Sequence, residues 1–173
     1  MNKNLIFSVF LMFISVCAHS QSDNLKAINR DVWIPFMESY GTFNGVKYKS
    51  LQSEDFMRAA ANNRNMPSSK EYFEGIDSWF ANLKKEGRKL SINFRFTERF
   101  SGANSASEQG IFELKAFDAT GKELWRSYSK FHTFLRKTND IWKIVIDYDT
   151  NEKNMVDEKA YLAAVAIDNF EKS

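Results

Sequence analysis

Apolar residues recur at helical spacing from Asn24 to Tyr40, at Leu25, Ile28, Val32, Phe36 and Tyr40, with Trp33 and Met37 widening the stripe. This predicts a first helix. Pro35 has no backbone N–H to give, so the helix is expected to kink there or to form in two pieces, and GTFNG from Gly41 to Gly45 ends it. A short second helix is expected over Tyr48 to Ala61, burying Leu51, Phe56 and Met57. After the loop composition of Asn62 to Pro67, Ser68 and Glu71 have capping-box spacing. They open a third helix that carries Tyr72, Phe73, Ile76, Trp79, Phe80 and Leu83 on one side and stops near Gly87.

Beyond Arg88 the period changes to two. Leu90, Ile92, Phe94, Phe96 and Phe100 alternate with polar residues, the mark of a strand with one buried face. Three more strands are expected, over Gln109 to Phe117, Glu123 to Lys137 and Ile141 to Tyr148. Hairpin-like turns at Asp118-Ala119-Thr120-Gly121 and Lys137-Thr138-Asn139-Asp140 separate them. Val156 to Phe170 reads as a last helix, with Tyr161, Ala164, Val165, Ile167 and Phe170 on its apolar side. The class is α+β: three N-terminal helices, an antiparallel sheet and a C-terminal helix.

Particular words narrow that class. Val32 to Tyr40 (VWIPFMESY) followed by Leu51 to Phe56 (LQSEDF) resembles the opening of nuclear transport factor 2-like, SnoaL-like proteins. The stretch from Phe134-Leu135-Arg136-Lys137 to Trp142-Lys143-Ile144-Val145-Ile146-Asp147 resembles the last hairpin of that family. The resemblance covers about residues 25 to 150 and implies a cone-shaped fold, a curved sheet wrapped around its helices with an apolar pocket at the open end. The family includes ketosteroid isomerase-like and polyketide cyclase-like enzymes, dehydratases and assembly domains, so the resemblance speaks for fold more than for activity. The chain departs from the common pattern at Asn44, where relatives often carry Asp, and shows no counterpart to the isomerase-type aspartate pair.

The first twenty residues change the picture of where the domain works. Lys3, the apolar run Leu5 to Val16 and the small-x-small site Ala18-His19-Ser20 have the layout of a secretory signal. Three parts are therefore expected: a signal peptide over 1–20, a domain over 21–150 and a helical tail over 151–173. The mature protein would be periplasmic or secreted, without stable membrane insertion, and would lack cysteine. Lipid attachment at Cys17, the only cysteine, is the alternative. Charge adds little: 24 Lys and Arg balance 22 Asp and Glu, which provides no broad field for nucleic acid. With His132 as the only mature histidine, Cys and His zinc sites are excluded, and no glycine spacing suits a nucleotide; neither cofactor nor metal is expected.

Strict alternation places Ile92, Phe94, Phe96, Phe112, Leu114, Trp125, Phe131, Leu135, Trp142, Ile144 and Ile146 on the helix-covered face. The polar residues in step with them are the candidates for chemistry. Glu98 follows Phe94 and Phe96, and a carboxylate among aromatic rings could serve as acid or base, or could lie in water beside Arg95 or Arg99. Ser127 and Ser129 could line the pocket as hydrogen-bond donors, and Trp33 and Tyr40 could point into it or be ordinary core. The expected pocket is thus Trp33, Tyr40, Phe94, Glu98, Ser127 and Ser129. His132 falls on the polar face, and Asp147 is expected to pair across strands with Lys143. The reading reached is an exported module for a small apolar ligand, or one that self-associates as a homodimer through Ile111, Tyr128 and Phe134. The alternative is an isomerase, dehydratase or cyclase using proton transfer.

Overall fold

A computed structural model describes residues 21–153 and 155–170. The expected signal segment and Cys17 lie outside the described residues. Residues 21–28 are α-helical and run through a π-helical turn, Asn29–Trp33, into helix α1 (Ile34–Gly41). Pro35 cannot donate to the carbonyl four residues back, and the chain accommodates this by widening: the Ile34 N–H bonds to Asn29 O, five residues back. The expected interruption is therefore one loose turn, and it lets Val32 and Trp33 both face the core.

Helix α2 (Gly45–Ser50) is capped by Asn44, whose side chain accepts from Lys47 N at 2.9 Å. The expected second helix ends there. Gln52–Ala60 instead forms strand β1, which pairs in parallel with a later strand. Local composition favours helix in this stretch, but the edge of the sheet offers a full set of backbone partners and outweighs the propensity. A short 3-10 turn (Ala61–Asn63) leads to helix α3 (Ser69–Lys85), with both halves of the Ser68–Glu71 capping box in place. Gly87, at φ +67°, turns the chain out of α3.

Strands β2 (Lys89–Ser101), β3 (Ser105–Phe117), β4 (Glu123–Thr138) and β5 (Ile141–Thr150) form the expected antiparallel meander. The sheet is mixed and six-stranded, in the order β1-β5-β4-β3-β2-β6. The expected long C-terminal helix is broken: helix α4 (Glu158–Ala163) lasts under two turns before Val165–Ala166 joins the edge of β2 as strand β6. An open sheet edge again satisfies the backbone better than a short tail helix could.

Two irregularities decide which side chains face the helices. In the β2–β3 pairing the register shifts between Phe96 and Glu98. The residues in step change there: Phe96 is buried, Glu98 is exposed and Arg99 is buried. In the β4–β5 pairing Leu135 faces Ile144 and Phe134 faces Ile146, leaving Val145 as an extra residue. Beyond it Asp147 stands opposite buried Thr133, and Ile146 turns to the outer side. A one-residue slip exchanges the two faces of a strand for the rest of its length. The alternation that places Glu98 and Ile146 inside therefore fails past each bulge.

Candidate functional site

Behind the sheet lies a cavity of about 130 Å³. The helical layer supplies Trp33, Phe36 and Tyr40, and the sheet supplies Phe94 and Phe131, with the Trp33 ring 4.6 Å from Phe94 and 5.2 Å from Phe131 between centroids. These side chains arrive by simple periodicity, one stripe of helix against one face of the sheet. Of the six residues named from the sequence, Trp33, Tyr40 and Phe94 line this cavity.

The other end of the cavity is polar. Arg58 of β1, Tyr48 of α2, Tyr72 of α3 and Asp147 and Asp149 of β5 meet there. Arg58 NH2 lies 2.5 Å from Asp149 Oδ2, and its NH1 donates to the backbone oxygens of Ala59 and Asp147. Its Nε is 3.8 Å from Asp147 Oδ2 and is buried without a hydrogen-bond partner. Asp147 accepts no side-chain hydrogen bond among the described residues; its carboxylate faces the cavity. The hydroxyls of Tyr48 and Tyr72 bond each other at 2.6 Å.

Burial dominates the electrostatics of this end. It raises the Asp147 carboxyl above its ordinary value; Arg58 opposes the shift and Asp149 adds to it. Burial also pushes the Tyr72 hydroxyl up to about 12 and lifts Tyr40 and Tyr48 well above the ordinary tyrosine value. For Arg58, burial acts downward, but the facing carboxylates win and keep the guanidinium charged. Arg58 and Tyr72 also line a groove of about 650 Å³ beside Met66 and Pro67. They form the wall between the cavity and that groove.

Three expected site residues lie elsewhere. Glu98 is exposed on the outer side of its bulge and accepts from Gln109 Nε2 at 2.9 Å. Ser127 is exposed, where the inner face of β4 runs past the helices and Trp125, in step with it, is 41% exposed; Ser129 is buried but does not line the cavity. Asp147 pairs with Arg58 and not with Lys143, whose ammonium donates to Ser50 O. His132 is on the outer side, its Nε2 2.9 Å from Ser107 Oγ.

Sequence reasoning missed Arg58 and Asp149 altogether. The parity shared by Phe56 and Arg58, and by Asp147 and Asp149, is the signal that could have found them once β1 was read as a strand. It also missed a second buried ionic group, Arg99 with Glu108. Arg99 Nε donates to Glu108 Oε1 at 2.9 Å, its NH2 donates to Asn29 Oδ1 at 2.7 Å, and Trp33 Nε1 donates to Glu108 Oε2. Burial raises the Glu108 carboxyl, with Arg99 and the Trp33 hydrogen bond opposing, and lowers Arg99. This group is spent on structure: Arg99 NH1 and Asn29 Nδ2 both hold Ile167 O and so fasten the C-terminal segment. Among the described residues no three His, Cys, Asp or Glu side chains converge as metal ligands would.

The arrangement of helices, sheet and cavity is similar to that of solved proteins. An NTF-2 like protein of unknown function from Shewanella oneidensis MR-1 matches with a TM-score of 0.53 at 16% identity, over 70% of this chain and 97% of that one. A ketosteroid isomerase-like protein from Erwinia carotovora atroseptica SCRI1043 matches with a TM-score of 0.52 at 12% identity, over 72% and 93%. The chain has the nuclear transport factor 2-like fold. At these identities the likeness extends to the fold alone. No family model matches the sequence. Among curated proteins the chain is similar to a trigger factor from Leuconostoc mesenteroides subsp. mesenteroides, 24% identical over 149 residues. It spans about a third of that protein's length, 32%, while 86% of this chain is matched. Within the nuclear transport factor 2-like fold the cavity occupies the space between the helical layer and the sheet, and its polar end is built by this chain's own Arg58, Asp147 and Asp149.

Proposed function

We propose that the protein is a binding module that holds one small molecule in the aromatic cavity of its nuclear transport factor 2-like domain. The carrying observation is the cavity of about 130 Å³ walled by Trp33, Phe36, Phe94 and Phe131. That volume matches a single ring: an apolar cavity of about 150 Å³ takes up benzene. Burying such a ring contributes at about 25 cal/mol for each Å² of apolar surface. Calorimetry with one-ring and three-ring compounds tests this. The single rings should bind and the larger ones should not; no heat from any single ring overturns the reading.

A second reading, proton transfer, is favoured by Asp147 and not by Glu98. Asp147 is a half-buried carboxyl with a raised pKa and no side-chain hydrogen bond, facing the space where a substrate would lie. Exchange of the α-protons of a cyclic ketone in deuterated water, followed by NMR, distinguishes an enzyme from a module. Exchange faster than in buffer alone, lost in Asp147→Asn, would replace the module reading.

Two further proposals concern the molecule's setting. The signal-like start supports export to the periplasm or medium, and the intact mass of exported protein decides between cleavage after Ser20 and a lipid on Cys17. Self-association is supported by an apolar row on the outer side of the sheet, Met57, Ile146 and Phe134, with Phe100 of β2 beyond the intervening Ser107 of β3. Of the residues first expected there, only Phe134 belongs to that row. Ile111 is buried and the Tyr128 ring lies 5.6 Å from Tyr161, on the part of the sheet that α4 approaches.

A further inference from the structure

The polar end of the cavity has more capacity for bonding than the protein uses. Tyr40 and Thr133 are both buried and both line the cavity, yet neither hydroxyl makes a hydrogen bond among the described residues. Asp147 likewise accepts none. Around them stand rings whose faces are negative: Trp33, Phe36, Tyr48, Tyr72, Phe94 and Phe131. The charges near this end do not cancel. Arg58 is one cation against two carboxylates: its NH2 is held by Asp149 and its NH1 by the backbone oxygens of Ala59 and Asp147, while its Nε stays 3.8 Å from Asp147 Oδ2, beyond hydrogen-bond reach.

Resting on the binding reading above, we propose that the cavity selects a small organic ammonium ion, with its apolar body among the rings and its N–H groups directed at Asp147, Tyr40 and Thr133. An ammonium is the group that answers all three features. It donates to each free acceptor, it brings the acidic end to neutrality, and it is attracted by the surrounding aromatic faces, an interaction that strengthens when water is excluded. An anion meets the opposite case, since Arg58 has no charge to spare. A neutral hydroxyl can bond to Asp147 but leaves the excess charge uncompensated. The site is small enough that the apolar body is limited to about one ring.

The test uses three compounds of one shape: cyclohexylamine, protonated at neutral pH, cyclohexanol and cyclohexanecarboxylate. Titration calorimetry on the intact protein should rank them ammonium, alcohol, carboxylate, with about a tenfold gap or more between the first two. In Asp147→Asn the gap between ammonium and alcohol should close while the alcohol still binds. Because the ranking is read on the unsubstituted protein, it stands even if that variant fails to fold. Alcohol binding as tightly as ammonium, or carboxylate binding tightest, overturns the ligand class and leaves the cavity as a binding site. A preference for ammonium that survives in Asp147→Asn places the ion elsewhere and also overturns it. If none of the three binds, the binding reading itself falls.

Discussion

Asp147 sits in the cavity wall at a cost to the fold. An unfolded aspartate titrates near 3.9, and burial raises the folded carboxyl above that. Over the interval between the two values the native state holds more protons than the unfolded one, so stability contributed at this site falls as pH rises through it. Asp147→Asn removes the titration. The variant should therefore gain on the natural protein as pH is raised from about 4 to 7, and urea unfolding at both pH values checks the sign. A variant that loses ground with rising pH would show that the ion pair with Arg58 outweighs burial. Gly110 is a second residue with a definite physical task. A Cβ there would lie 2.0 Å from Arg95 O and 2.8 Å from the Phe131 ring, beside the register shift in β2. Gly110→Ala should cost about 1–3 kcal/mol of stability, measured by the same unfolding. Gly75 is the contrast: it lies in α3 with nothing within 4 Å, so Gly75→Ala should stabilise by about 0.5–1 kcal/mol.

Among the elements, the bulges in β2 and β5 have the largest consequences. The bulge in β2 turns Glu98 to the outside and Arg99 to the inside, where it closes onto Glu108, Asn29 and Ile167 O. Arg99→Ala leaves Glu108 buried and unpaired and should cost about 3–5 kcal/mol. Glu98→Ala should stay within about 0.5 kcal/mol, as an exposed substitution does. Equal losses in the two variants would mean that the bulge does not direct these side chains as described. The bulge in β5 acts in the same way on Asp147. Neither bulge has a mark in local composition, since Thr97 and Val145 are ordinary strand residues; they arise where neighbouring strands of unequal curvature must keep their hydrogen bonds. For the same reason β1 escaped sequence reading. LQSEDF has helix-compatible composition, and only the free edge of β5 makes it a strand.

At the level of the whole molecule, the sheet has two different sides. One is closed by helices around the cavity; the other is part covered by α4 and part open, with Phe134 42% exposed in the apolar row. Phe134→Glu places a charge in the middle of that row. Sedimentation velocity should then show the substituted chain as the smaller species and the natural chain as the larger; a natural chain that remains a monomer at high concentration removes the proposed homodimer. No helix among the described residues is long and apolar enough to cross a membrane. The cavity and the apolar row lie on opposite sides of the sheet, so a ring-sized ligand and a second copy of the chain would not compete for the same residues.

Much of this protein was legible from periodicity. Helix α3 with its capping box, the four-stranded meander and the inward-facing Trp33, Tyr40 and Phe94 follow from spacing, because a helix stripe and an alternating strand are local patterns carried by neighbouring residues. The acidic end of the cavity was not legible. Arg58 reaches Asp147 and Asp149 across about ninety residues of chain, through a parallel pairing that no local pattern announces and past a bulge that reverses which carboxylates face inward. Alternation alone points to Glu98; the packing of strand on strand selects Asp147 instead, because register is a property of pairs of strands and not of one.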